Sequence, residues 1–137
     1  MTSQQRTTTD RVSDGEGWEI EAGYSRAARR GPFITVSGTT ASDEVARSHP
    51  GDCEAQTEDA LIRAVVAIEQ LGGTRDDIVR TRLMLTPEID WQGAARAHER
   101  VMGDVAPANT TVRVAGLIGE QFVVEVEVDA FVIERPA

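Results

Sequence analysis

The chain has 137 residues, of which 40% are hydrophobic and 27% charged, and its formal net charge is −9 at pH 7. This length suits one compact domain, the acidic excess disfavours binding to a nucleic-acid backbone, and a single cysteine, Cys53, excludes an intrachain disulfide scaffold. No apolar run approaches the ~20 residues of a membrane-spanning helix, so we expect a soluble cytoplasmic protein with no membrane partner and no nucleic-acid partner.

The N-terminal segment is polar and lacks the apolar stretch of a secretory signal peptide. We expect residues 1–16 to form a disordered tail and residues 17–137 to form a single domain. Weak alternation over 18–24 predicts a first strand, and a run of β-forming residues over 33–37, closed by Gly38, predicts a second. The basic segment between these strands ends in a Gly-Pro turn signal, and a polar loop follows the second strand.

Two helices are predicted by apolar residues at helical spacing. The first begins after the N-cap residue Asp52 and ends at Gly72 and Gly73, and the second follows Pro87. A strand over 78–86 lies between them. The apolar stripe of the second helix consists of Trp91, Ala94, Ala95, His98, Val101 and Met102.

Two strands close the chain, over 109–115 and 122–133. The last one alternates strictly, with valines at every second position from Val124 and charged residues between them. The element order β-β-α-β-α-β-β predicts an α+β fold in which two amphipathic helices pack on one face of a mixed sheet. Because the other sheet face keeps apolar side chains, we expect another subunit to cover it.

Three carboxylates, Glu125, Glu127 and Asp129, follow one another along the polar side of the last strand, about 7 Å apart. Like charges at this spacing need water, cationic partners or a ligand. Arg80 and Arg82 have the same spacing on another strand, and if the two strands are neighbours, cross-strand ion pairs would balance the repulsion. The alternative is that one carboxylate acts as a general acid or base in a cleft.

Other residues that often carry chemistry have ordinary structural interpretations. His98 lies on an apolar helix stripe, where a histidine is usually packed, and Cys53 lies at a helix start, where a cap residue is usually structural. His49 and His98 lack metal-ligand spacing. The chain has no Walker loop, no GxGxxG and no GxSxG motif. We therefore expect no metal site and no cofactor.

Several short segments together resemble the Rid family, the YjgF-type proteins described as enamine/imine deaminases and, historically, as endoribonucleases of the L-PSP type. The resemblance covers about residues 17 to 134. Its segments are Gly23-Tyr-Ser-Arg-Ala27, Ile34-Thr-Val-Ser-Gly38, Ala55-Gln-Thr57, residues 72–80, Ile89-Asp-Trp91, Pro107-Ala-Asn109 and Val124-Glu-Val-Glu127. The resemblance implies a chorismate-mutase-like α+β fold and a homotrimer with small-molecule pockets at the subunit interfaces.

The resemblance also implies which residues line each pocket, namely Tyr24, Ser37, Gly38, Trp91, Asn109, Thr111 and Glu125. Glu125 matches the carboxylate that positions or activates water in the deaminases. The chain departs from the deaminase pattern at Asn109, where that branch has an arginine that clamps a substrate carboxylate. It therefore resembles the arginine-lacking branches, and Arg26 and Arg113 are the candidates for supplying the missing positive charge.

Three functions remain open at this point. The first is hydrolysis or deamination of a small imine, enamine or related reactive metabolite, with Glu125 as the general acid or base. The second is a non-enzymatic metabolite-binding protein or sensor on the same trimer, which the uncharged Asn109 favours. The third, an endoribonuclease, is disfavoured by the net charge of −9 and by the lack of a basic, aromatic-rich patch.

Overall fold

The structure, a computed structural model of the chain, describes residues 10–13 and 17–133. The strands in this part of the chain are β1 (Arg11–Val12), β2 (Ala27–Arg30), β3 (Phe33–Thr39), β4 (Ile78–Leu85), β5 (Ala108–Arg113) and β6 (Val124–Phe131). The α-helices are α1 (Gly17–Ala22), α2 (Asp43–Ser48), α3 (Cys53–Gln70) and α4 (Trp91–Met102), and a 3-10 turn spans Arg75–Asp77.

The strands form one mixed sheet in the order β1-β2-β3-β6-β4-β5. Neighbouring strands are antiparallel except β4 and β5, which are parallel. A parallel pair needs a crossover connection, and α4 provides it. This crossover leaves β5 at the edge of the sheet, and every one of its residues is exposed in the single chain.

The core lies between one face of this sheet and the helices α3 and α4. Val124, Val126 and Val128 of β6 are fully buried there, together with Ile68 of α3 and Met102 of α4. The predicted N-cap is confirmed, because the Asp52 side chain accepts a hydrogen bond from the Ala55 amide at 3.0 Å. The predicted α+β fold, with two amphipathic helices on one face of a mixed sheet, is therefore confirmed.

Three predictions for the first half of the chain were wrong. The segment 18–24 is helical, because α1 spans Gly17–Ala22, and its weak alternation came from side chains that remain exposed. Strand β2 occupies the basic segment. Its sequence does not alternate between apolar and polar residues, and hydrogen bonding to β1 and β3 keeps it extended. Helix α2 interrupts the expected polar loop, and the side chain of its N-cap Ser42 accepts from the Val45 amide at 3.1 Å.

The expected N-terminal tail lies largely outside the described residues, as do residues 134–137. Of residues 1–16, the structure describes 10–13, and strand β1 in this segment pairs with β2. The division into a tail and a domain from residue 17 onward stays a prediction. Within the described residues, no helix combines the length and the apolarity needed to cross a bilayer.

The sheet face turned away from α3 and α4 is uncovered in the single chain. Phe33 and Phe131 are cross-strand partners on this face, and they are 43% and 50% exposed. The charged residues of β6 lie on the same face, between the buried valines. An exposed face with large apolar side chains is typical of a surface that another protein covers.

Candidate functional site

The residues expected to line one pocket lie on opposite faces of the sheet. Leu83 and Met84 are consecutive residues of β4, so their side chains point to opposite faces. Leu83 faces the helices and pairs with Thr111 of β5, whereas Met84 pairs with Glu125 of β6. Glu125 therefore lies on the uncovered face, and Thr111 lies on the side of the helices.

We call the first group the open-face cluster and define it as Arg26, Ser37, Gly38 and Glu125. A β-bulge between Val36 and Thr39 shifts the register of β3 against β6 at this point. The Glu125 carboxylate packs directly on Gly38, because a Cβ atom there would lie 3.0 Å from both Cδ and Oε2 of Glu125. A larger residue at Gly38 would thus compete with the carboxylate for space.

Two hydrogen bonds fix the backbone of the open-face cluster. Nη2 of Arg26 donates to the Gly38 carbonyl oxygen at 2.5 Å. The Ser37 hydroxyl donates to the Ser25 carbonyl oxygen at 2.6 Å, so it is turned toward the backbone of the neighbouring chain segment. The cluster therefore presents the Glu125 carboxylate of β6 packed against the glycine-containing bulge of β3, with the Arg26 guanidinium beside it.

The electrostatics of Glu125 are those of a partly desolvated carboxyl group. Burial raises the pKa of Glu125, the Arg26 guanidinium opposes this shift, and the charge of Glu127 adds to it. No hydrogen-bond or ion-pair partner contacts the Glu125 carboxylate among residues 10–13 and 17–133. A carboxyl group with a raised pKa and free oxygens is suited to general acid or base catalysis.

The other two carboxylates of β6 have structural partners. The expected cross-strand ion pair is confirmed for Glu127, whose Oε1 lies 2.6 Å from Nη1 of Arg82. Asp129 accepts a hydrogen bond from the Thr35 hydroxyl at 2.6 Å. Arg80 does not follow the same pattern and donates to the Thr110 hydroxyl at 3.1 Å. Glu125 is thus distinguished from its neighbours by the absence of such contacts in the described chain.

The second group surrounds a cavity of about 440 Å³ between α4 and the strands β4 and β5, which we call the helix-side cavity. Its apolar wall includes Leu83, Trp91 and Met102, and its polar side chains include His98, Asn109 and Thr111. The structure thus brings together three residues that the family resemblance implied for a pocket, Trp91, Asn109 and Thr111. It separates them from Glu125.

A chain of hydrogen bonds forms the polar part of the helix-side cavity. The Thr111 hydroxyl lies 2.9 Å from Oδ1 of Asn109, and Nδ2 of Asn109 lies 3.0 Å from the Thr81 hydroxyl. The same Thr81 hydroxyl lies 2.7 Å from Nε2 of His98. Burial lowers the pKa of His98, which favours the neutral ring.

Sequence reasoning assigned His98 to packing and missed its hydrogen bond. The signal that could have revealed it is Thr81, a hydroxyl residue on the buried side of β4. A buried hydroxyl group needs a partner, and the stripe of the following helix offers one polar side chain at the matching depth. His98 is therefore part of the polar network of the cavity as well as of the helix packing.

The comparisons with known proteins agree with this architecture. The family model for endoribonuclease L-PSP matches residues 17–132. The chain belongs to the L-PSP family. The predicted Rid-type membership is confirmed, because a Mycobacterium tuberculosis protein of the YjgF family has a structure with a TM-score of 0.80 and 40% identity, covering 89% of this chain and 98% of that one.

Two further relatives extend the comparison of this L-PSP chain. An uncharacterized protein of Streptomyces coelicolor is 36% identical over 121 residues, which is 88% of this chain and 90% of the relative. A RutC family protein of Pyrococcus abyssi is 27% identical over 109 residues, which is 79% of this chain and 85% of the relative. The similarity therefore extends over most of the fold and does not depend on one motif.

Two predicted site residues of this L-PSP protein, Tyr24 and Arg113, lie outside both the open-face cluster and the helix-side cavity. Tyr24 follows α1 and is exposed. Arg113 is exposed on β5, where Nη1 donates to the Thr86 carbonyl oxygen at 3.3 Å. Neither Arg26 nor Arg113 lines the helix-side cavity. In the described ranges, no three His, Cys, Asp or Glu side chains are grouped to hold a metal ion.

Proposed function

We propose that this L-PSP protein forms a homotrimer in which the open-face cluster of one chain meets the helix-side cavity of the next. The supporting observation is that the two groups lie on opposite faces of the sheet of one chain. A ring of identical head-to-tail contacts places one face of each chain against a different surface of its neighbour. Three such contacts would create three pockets.

The surfaces that this assembly requires are accessible in the single chain. The edge strand β5, which carries Asn109 and Thr111, is exposed along its whole length. The uncovered sheet face carries Phe33 and Phe131 near the charged row of β6. Removing such apolar side chains from water favours assembly. The β5 edge of one chain and the uncovered sheet face of the next are therefore the two surfaces that we expect to meet in the trimer.

Membership of the L-PSP family supports a Rid-like function in processing small molecules. We propose that the shared pocket hydrolyses a small imine, enamine or related reactive compound. The Glu125 carboxylate takes a proton from water as the water oxygen adds to the imine carbon. The carboxyl group gives this proton to the nitrogen, which completes a carbinolamine. The carboxylate then takes the proton of the carbinolamine hydroxyl and gives it to the nitrogen as the carbon–nitrogen bond breaks, so the products are a carbonyl compound and ammonia or an amine.

The uncharged Asn109 indicates the charge of the substrate. An amide forms hydrogen bonds but cannot neutralise a carboxylate that has lost its water, so we assign this chain to the arginine-lacking members of the family. Arg26 remains beside Glu125, where its guanidinium is held by the Gly38 carbonyl. We therefore expect neutral substrates to be preferred over those that carry a carboxylate next to the imine.

Substitution of Glu125 tests the proposed chemistry. Imines without a carboxylate can be generated from primary amines by a flavin amine oxidase and followed by trapping with semicarbazide. We expect Glu125→Gln to lower hydrolysis by about 10² to 10⁴-fold, the usual contribution of a general acid or base. Asp129→Asn is the matched control, because it removes a carboxylate from the same face of the same strand. Equal rates for the two variants would contradict the role of Glu125.

A second candidate function is binding of a neutral metabolite without turnover. It is favoured by the helix-side cavity, whose Asn109 and Thr111 side chains are uncharged and already hydrogen-bonded to each other. Under this alternative, a neutral ligand would raise the melting temperature of the wild type and of Glu125→Gln equally, and the wild type would hydrolyse no imine. The catalytic proposal predicts turnover that depends on Glu125.

A further inference from the structure

The hydrogen-bond chain of the helix-side cavity constrains the protons of its members. Thr81 is fully buried, and its hydroxyl contacts both His98 and Asn109. A threonine hydroxyl has one proton to donate. The state of the His98 ring and the orientation of the Asn109 amide are therefore coupled through a single hydroxyl group.

When His98 is neutral with its proton on Nδ1, every bond in the chain has one donor and one acceptor. Thr81 donates to Nε2 of His98 and accepts from Nδ2 of Asn109, and Oδ1 of Asn109 accepts from the Thr111 hydroxyl. The Thr81 carbonyl oxygen, which only accepts, lies 3.5 Å from the same Nδ2. This contact also favours the nitrogen on the Thr81 side.

When Nε2 of His98 carries a proton, donor and acceptor exchange places in each hydrogen bond of the chain. The Thr81 hydroxyl then accepts from the ring, and its own proton finds an acceptor only if the Asn109 amide turns its oxygen toward Thr81. The amide nitrogen then donates to Thr111, and the proton of the Thr111 hydroxyl is released into the cavity.

We propose that His98 is a positioning residue that sets, through Thr81, which end of the Asn109 amide faces Thr111. With a neutral ring, Thr111 offers the cavity only acceptor lone pairs, so the ligand at this point carries an N–H or O–H group, such as an enamine or imine nitrogen that bears hydrogen. With a charged ring, Thr111 becomes a donor. This assignment of ligand class rests on the proposed function, whereas the coupling itself concerns the protein alone.

Few charged groups face His98, so its protonation is governed mainly by burial and by its hydrogen bond to Thr81. From β4 and β5, the side chains turned toward it are Thr81, Leu83, Asn109 and Thr111, which carry no charge. Glu99, on its own helix, lines the same cavity. The α3 carboxylates nearest to α4, Glu54 and Glu58, are paired with Arg96 and Arg100.

Nitrogen NMR of the unliganded protein tests the coupling directly. The chain has two histidines, so His49→Gln leaves His98 as the only imidazole. We expect the neutral ring to carry its proton on Nδ1, and the Asn109 side-chain amide protons to contact the Thr81 methyl group. As His98 is titrated, these contacts should move to the Thr111 methyl group. A neutral ring protonated on Nε2, or amide contacts that do not change during the titration, would overturn the proposal.

A pair of threonine variants separates this role from a purely structural one. Thr81→Val keeps the shape of the buried side chain and removes the hydroxyl, so the Asn109 amide shifts should lose their dependence on the His98 titration. Thr110→Val is the matched control, because its hydroxyl contacts Arg80 on the other face, and it should retain this dependence. Retention in both variants would refute the link through Thr81. Because no substrate is present, these results are independent of whether the pocket is catalytic.

Discussion

The open-face cluster and the helix-side cavity satisfy their polar groups in different ways. On the open face, charges are balanced across strands, and Glu125 is the carboxylate without such a partner in the described chain. In the cavity, uncharged polar groups are joined in a chain of hydrogen bonds that ends at Thr111. The open-face cluster has a carboxylate that can transfer a proton, and the helix-side cavity has a shape and a set of hydrogen-bonding groups that can orient a ligand. A site that needs both must draw them from two chains.

Among the following tests of the difference between the two groups, the largest effect is expected on the rate of imine hydrolysis when the space beside Glu125 is filled. In Gly38→Ala, the added Cβ would lie 3.0 Å from the Glu125 carboxylate, so the carboxylate must move. A neighbour at this distance gives way by a few tenths of an ångström. Because a displacement of about 1 Å in a catalytic group can cost about 10²-fold in rate, this smaller shift should cost about 3- to 10-fold. We expect kcat/KM for imine hydrolysis to fall by this order while the melting temperature changes little. Gly116→Ala is the control, because nothing lies within 4 Å of a Cβ there.

Either of two results for Gly38→Ala would contradict the role given to the bulge. One is a rate equal to that of Gly116→Ala, which would mean that the carboxylate position is unimportant. The other is a large loss of thermal stability, which would place the importance of Gly38 in folding. Comparing kcat/KM and melting temperature for both variants distinguishes these outcomes.

A smaller effect is expected on the pH dependence of stability. Burial raises the folded-state pKa of Glu125 above its ordinary value of 4.5, so the protonated carboxyl stabilises the fold below that pH. This stabilisation is lost as the pH rises through the folded pKa. Glutamine does not ionise, so Glu125→Gln should melt at a higher temperature than the wild type at pH 7, and this advantage should shrink toward pH 4, about the ordinary range of a glutamate.

Calorimetry across this pH range checks the sign. If Glu125→Gln melts below the wild type at pH 7, the carboxylate contributes to folding, as its paired neighbours do. Such a result would remove the contrast between Glu125 and the rest of the row. Asp129→Asn serves as the reference, because the Asp129 carboxylate is hydrogen-bonded to Thr35.

The smallest effect is expected for the ion pair of the open face. Arg82 and Glu127 are each about 40% exposed, at 41% and 39% of the side chain, and pairs of this kind contribute roughly 0.2–1 kcal/mol. A double-mutant cycle with Arg82→Gln and Glu127→Gln, measured by urea unfolding, should give a coupling energy within this range. A much larger coupling would mean that the pair is a main determinant of the sheet.

The parts of the fold that depend on local patterns could be predicted from the sequence. The alternation of β6 predicted both its strand and its buried face, and Asp52 marked the start of α3. Strand β2 could not be predicted in this way, because Ala-Ala-Arg-Arg has no alternation and its conformation depends on pairing with β1 and β3. Helix α2 could have been predicted, because Ser42 is a favourable N-cap residue and acidic residues follow it in the first turn.

The candidate site likewise depends on contacts between residues that are far apart in the sequence. The family resemblance identified Glu125, Asn109 and Thr111, but their placement on opposite faces depends on the registers of β4 with β5 and β6. Those registers pair residues that are about thirty to fifty positions apart. The contact between His98 and Thr81 is of the same kind, because it joins a helix to a strand.

Cross-linking of engineered cysteines tests most directly whether the site is shared between chains. In a Cys53→Ala background, Asn109→Cys and Glu125→Cys are combined in one chain and treated with a short bismaleimide. If the pocket forms between neighbours, the double variant should give covalent trimers of three times the chain mass of 14.8 kDa, and neither single variant should do so. Products of one chain mass only, from the double variant at micromolar concentration, would contradict the shared site.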